Sequence, residues 1–120
     1  MSASLSELSG LMAEFVAERD WAQYHSPKNV AAALSIEAAE LQEIFLWREG
    51  ADHAPERRAD VEAEAADVLM CLLNFCNVLD IDLEEAFRRK LVVAAAKYPA
   101  DRVRGRREKY NEYPGYEDPT

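Results

Sequence analysis

The chain has 120 residues, 49% hydrophobic and 31% charged, with a formal net charge of −9. At this length roughly two-thirds of the unfolded surface can be buried, enough for one core, and the composition is not that of a disordered chain. An acidic balance argues against a nucleic-acid groove, and no apolar run reaches the roughly 18 to 20 residues of a membrane span, so neither a nucleic-acid polymer nor a membrane is expected as partner.

In chain order, apolar spacing predicts four helices and no strand. The first runs from about Ser4 to Arg19, with Leu8, Leu11, Met12, Phe15 and Val16 on one face, and ends near Asp20. Trp21 to Pro27 reads as a loop, with Ser26 as N-cap and Pro27 at the first position of a second helix that continues to about Glu49. Gly50 is the expected stop, and residues 50 to 55 a short polar connection. The third helix spans about Glu56 to Leu79, Asp80 to Asp82 is a tight turn, and the fourth spans Leu83 to Tyr98 before Pro99. A basic stretch follows, then a tail with too little apolar periodicity to form an element, expected to lie on a neighbour or stay mobile. The expected organisation is one all-α domain over residues 1–112 and a C-terminal tail over 113–120. Short connections between helices predict a four-helix bundle, and loop aromatics with several apolar faces predict an oligomer. The N-terminus lacks the basic start and apolar stretch of a secretory signal, so the expected location is cytoplasmic. Cys71 and Cys76 fall in an apolar helical segment and read as core thiols.

The informative feature is where the carboxylates fall. At about 100° per residue, Glu37 points among Val30, Ala33, Leu34, Leu41 and Ile44, and Glu40 flanks the same face one turn on. On the third helix Glu64 and Asp67 border the stripe of Val61, Ala65, Val68, Leu72 and Leu79. Four inward acids destabilise a bundle unless cations hold them, and the inward faces of these two helices offer only Arg48, at one end. Paired acids on two helices suit magnesium, a hard ion that keeps positions for water or phosphate oxygens. A di-iron carboxylate site needs Glu-x-x-His steps, and neither His25 nor His53 supplies one.

Glu37-x-x-Glu40 followed by Glu64-x-x-Asp67 resembles the hallmark of the MazG-like all-α nucleoside triphosphate pyrophosphohydrolases, in their dCTP pyrophosphatase branch. The likeness covers nearly all of residues 11 to 114 and includes Glu18-Arg19-Asp20-Trp21, then Gln23, Tyr24, His25, Pro27, Lys28 and Asn29. Trp47, Lys90, Lys97-Tyr98-Pro99, Arg104-Gly105 and Lys109-Tyr110 continue it. The resemblance implies a magnesium-dependent enzyme, manganese being the substitute ion, that cuts a (deoxy)nucleoside triphosphate between its α and β phosphates. It implies metal ligation by Glu37, Glu40, Glu64 and Asp67, with Glu37 and Glu40 catalytic and Glu40 the first choice of base. It further implies substrate contacts from Trp21, Gln23, Tyr24, His25, Trp47, Cys71, Lys90, Tyr98, Arg104 and Lys109, in a homodimer or homotetramer. Met12, Cys71 and Ala94 stand where that branch carries histidine, tyrosine and asparagine, so altered base discrimination is expected, with a catalytically silent helical module as the alternative.

Overall fold

The computed structural model describes residues 4–112 and 115–118, and among these every regular element is helical. The chain divides into two compact units, the boundary falling after Leu83. The first holds α1 (Leu5–Glu18), α2 (Pro27–Phe45) and α3 (Arg58–Val78), with single 3-10 turns at Ala22–Tyr24 and Pro55–Arg57. The second holds α4 (Leu83–Lys97), whose first residue closes the first unit, and the one-turn α5 (Ala100–Val103). Three of the four predicted long helices therefore make the first unit and the fourth belongs to the second.

Local chemistry sets the ends. Ser4 Oγ accepts the amide of Glu7, and Ser26 Oγ accepts that of Asn29 at 3.2 Å, with Pro27 opening α2 as the spacing predicts. After α1 and α3 the chain turns through Asp20 and Asp80, each at φ 55°, a conformation that aspartate tolerates better than bulkier residues.

The second helix departs from expectation. It ends at Phe45, five residues before Gly50, because Leu46 is extended and Trp47 lies at φ 68°. What closes the connection is Arg48: its Nε donates to the Ile44 carbonyl at 3.1 Å, and its guanidinium pairs with Asp52 at 3.3 Å and with Glu56. Asp52 in turn accepts the amide of the fully buried Ala54 at 2.8 Å. The third helix accordingly starts at Arg58, after the 3-10 turn, rather than at Glu56.

In the first unit α3 packs chiefly against α2 and also against α1. The core is small, made of Val16, Val30, Ile44, Ala54, Leu73 and Cys76. The α1-facing stripe of α3, Ala66, Leu69, Met70 and Leu73, lies about 180° round the helix from Glu64 and Cys71. It forms an open apolar groove with Leu8, Leu11, Met12 and Phe15. Asn77 fastens this side by donating to the Ser9 carbonyl at 3.0 Å.

In the second unit the one-turn α5 falls at the start of the basic segment. Tyr98 meets Tyr110 edge-on, with ring centroids 6.3 Å apart, and Tyr110 meets Tyr116 at 5.8 Å, so the tail folds back on its own unit. Of the tail, Tyr113, Pro114, Pro119 and Thr120 lie outside the described residues.

Candidate metal centre

The facing acids come from the middle of α2 and the first half of α3. Glu37, Glu40 and Glu64 each present a carboxylate oxygen, and these lie within 4.8 Å of one another. Glu37 and Glu64 are half-buried while Glu40 is exposed, as the helical projection predicts for the α2 pair. Glu37 Oε2 and Glu64 Oε2 are shut off from solvent with no hydrogen-bond partner among the described residues. Two ionised carboxylates cannot donate to each other, so a proton or a cation must sit between them. Burial pushes Glu37 up from 4.5 to about 7, assisted by the neighbouring Glu40 and Glu64 carboxyls and the charge of Asp67.

Among the described residues no basic side chain pairs with these acids. Arg48, the one candidate legible in the sequence, is held by Asp52 and Glu56. Three oxygens converging with two unpartnered suit a hard divalent ion, which takes carboxylate oxygens and leaves positions for water or phosphate. Asp67 falls outside the group of three, yet its charge is felt at both Glu37 and Cys71. Cys71 therefore stands beside the acids as well as in the helix packing. Burial, then Glu37 and Asp67, raise its thiol pKa, which keeps it protonated and unsuited to nucleophilic work.

The aromatic residues divide. Trp21 is partly covered, its ring edge-on to Phe15 at 5.7 Å, and Tyr24 is exposed. Gln23 donates to the backbone and side chain of Asp20, at 2.9 and 3.1 Å, which fastens the 3-10 turn. Trp47, expected on α2 beyond the acidic pair, is off the helix and 94% exposed. Its left-handed backbone costs a non-glycine residue about 1 to 2 kcal/mol, which solvent exposure of a large ring does not offset.

His25 has a partner the sequence reading missed. Its Nδ1 lies 3.2 Å from Nδ2 of Asn74, the buried polar side chain of α3. An amide nitrogen only donates, so Nδ1 of His25 is the acceptor in this contact. Asn29 Nδ2 donates to the Tyr24 carbonyl at 3.0 Å, so both ends of this segment are tied down. The signal was a polar residue inside the apolar run Leu72 to Cys76. Asn74→Leu is expected to destabilise the protein by about 1 to 2 kcal/mol through loss of that bond, a shift readable in urea unfolding. Unchanged stability would mean that His25 finds another donor.

Lys90, Tyr98, Arg104 and Lys109 belong to the second unit. Lys90 is exposed on α4, Arg104 is exposed at the end of α5, and the Lys109 carbonyl accepts the Glu112 amide at 2.8 Å. The ammonium over the Tyr110 ring, 4.8 Å from its centroid, is that of Lys97.

Comparison with known proteins defines the class. The MazG-like family profile matches residues 32–113, so the chain belongs to the MazG-like family. Among individual relatives, dCTP pyrophosphatase 1 of Homo sapiens is 36% identical over 116 residues, covering 92% of this chain and 68% of that protein. The Bos taurus dCTP pyrophosphatase 1 is 34% identical, with 92% and 69% covered. A crystal structure of a pyrophosphatase from Archaeoglobus fulgidus superposes with a TM-score of 0.74 at 43% identity, covering 82% of this chain and 95% of that one.

Proposed function

We propose that this chain is a divalent-metal-dependent nucleoside triphosphate pyrophosphohydrolase that clears dCTP or a modified deoxynucleoside triphosphate from the nucleotide pool, releasing the monophosphate and pyrophosphate. The observation that carries the reading is the convergence of Glu37, Glu40 and Glu64 with two buried oxygens left unpartnered, in a chain whose relatives are pyrophosphatases. Magnesium, with manganese as substitute, would be held by these three and by Asp67, and supplies positive charge against phosphate oxygens and an acidified water. Glu37 and Glu64 would each bring an oxygen shut off from solvent. Glu40, the exposed member, is the carboxylate that water can approach, and it takes the proton of the attacking water.

For the base, Trp21, Tyr24 and Trp47 offer ring faces, and stacking on such faces is worth about 1 to 3 kcal/mol per base in single-strand binders. His25, its Nδ1 engaged by Asn74, offers its Nε2 edge. Gln23 and the protonated Cys71 complete the set on this unit. No helix among the described residues is long and apolar enough to cross a membrane, and the open apolar groove supports self-association as a dimer or tetramer.

The test is a panel of triphosphates incubated with protein, with and without magnesium, resolving pyrophosphate from orthophosphate. Pyrophosphate release that depends on magnesium is expected, strongest for a cytosine or modified deoxynucleotide. Orthophosphate with diphosphate would overturn α–β cleavage. No product from any triphosphate would favour a silent nucleotide-binding module, the reading that Met12, Cys71 and Ala94 motivate.

A further inference from the structure

Beside the acids, between the C-terminal half of α2 and the first turns of α3, lies a hollow of about 320 Å³. A water occupies roughly 30 Å³ in the liquid, so the hollow has room for a polyatomic ligand. Glu40 and Glu64 line it, which makes it continuous with the metal centre, and Glu43, Ile44, Arg57, Asp60 and Ala63 complete its wall. Among the described residues Arg57 is its one basic lining residue.

The state of Arg57 is what points to a ligand. Its Nε is engaged with Asp60 Oδ2 at 3.1 Å, while its two terminal nitrogens make no hydrogen bond among the described residues. It stands at the N-cap position of α3, where its side chain makes no capping bond. The pair with Asp60 is well exposed, a class of ion pair that contributes little to stability. A guanidinium with its fork free, at the mouth of a hollow that shares two carboxylates with a metal centre, matches a phosphate geometry that no group in the wall supplies. The other wall charges are negative, so an anion enters only once the shared acids are neutralised.

We propose that this hollow receives the pyrophosphate end of the nucleotide, with Arg57 as its protein cation and Asp60 as the residue that holds Arg57 back until the anion arrives. The inference rests on the pyrophosphohydrolase reading and gives the bound nucleotide a direction: the phosphate tail lies toward the start of α3, and the nucleoside toward Cys71 and the Asn74–His25 pair. It also makes pyrophosphate a product that binds at Arg57 and inhibits by competing with the triphosphate tail.

Calorimetric titration of pyrophosphate into the full chain in excess magnesium tests this without turnover. Arg57→Gln is expected to weaken pyrophosphate binding about tenfold or more, the loss of a charge-assisted bond. Arg57→Lys should recover part of it, and Asp60→Asn should tighten it by freeing the guanidinium. In steady state Arg57→Gln should raise KM for the triphosphate and the pyrophosphate inhibition constant together, with kcat little changed. Equal thermal melting of Arg57→Gln and wild type would show that the effect is not a folding defect. Wild-type pyrophosphate affinity and KM in Arg57→Gln would overturn the proposal. So would weakened magnesium binding in Asp60→Asn with pyrophosphate affinity unmoved in Arg57→Gln, which would assign the hollow to a second cation. A wild type that releases no pyrophosphate from any triphosphate would instead defeat the catalytic reading, a separate result from the titration.

Discussion

Glu37→Gln is expected to abolish pyrophosphate release, by at least about 100-fold, while the metal-free variant is no less stable than the wild type. The two effects have one cause. Glu37 supplies an oxygen shut off from solvent among other acids, which is why its carboxyl is raised to about 7. Above that value the metal-free protein holds a charge there that burial and like charges oppose, and the amide removes it while keeping the shape. The stabilisation should therefore show at pH 8 and shrink toward pH 5, where wild-type Glu37 is already protonated. Urea unfolding in chelator at both pH values, beside the magnesium-dependent assay, reads both halves. Full turnover in Glu37→Gln would remove this residue from the metal centre.

Magnesium should protect the wild type far more at pH 8 than at pH 5.5. The folded-state pKa of Glu37 lies above its unfolded value of 4.5, so its contribution to metal-free stability is fully present below 4.5 and lost as pH rises through about 7. Two other shifted acids act in the opposite direction and elsewhere. The Ala54 amide and then Arg48 lower Asp52, and Arg48 lowers Glu56, from 3.8 and 4.5 respectively. Their stabilisation is present above those values and lost only as pH falls below them. Between about 4.5 and 7 the slope is thus that of Glu37: the metal-free protein weakens as pH rises, and a cation that displaces the proton reverses this. At one hundred times its Kd, magnesium would add about 2.7 kcal/mol at pH 8. Thermal melts with and without magnesium at the two pH values check this, as does proton release on calorimetric titration near pH 6.5. An equal increment at both pH values would mean that magnesium does not bind where Glu37 titrates.

The helices and most of their ends were legible because the signals are local. Ser26-Pro27 starts α2 through its own hydroxyl and ring, and Asp20 and Asp80 mark where α1 and α3 stop. The end of α2 was not legible. Gly50 is the strongest nearby breaker, but the helix yields at Leu46, and Arg48 then joins Ile44, Asp52 and Glu56, a set that only the folded connection brings together. The same folding put Trp47 in a left-handed conformation that nothing in its neighbours' identities requires.

By itself the sequence determined which way the acids face. Helical periodicity fixes a side chain's direction around its own axis, so Glu37 inward, Glu40 at the flank and Glu64 on the border follow from spacing alone. Which of them meet was decided by the packing of α2 on α3, since the distance between two helices and the slide of one along the other depend on side chains across the interface. That register closes Glu64 rather than Asp67 onto the α2 pair, brings Asn74 to His25 across 49 residues of chain, and sets Arg57 at the edge of the acidic cluster.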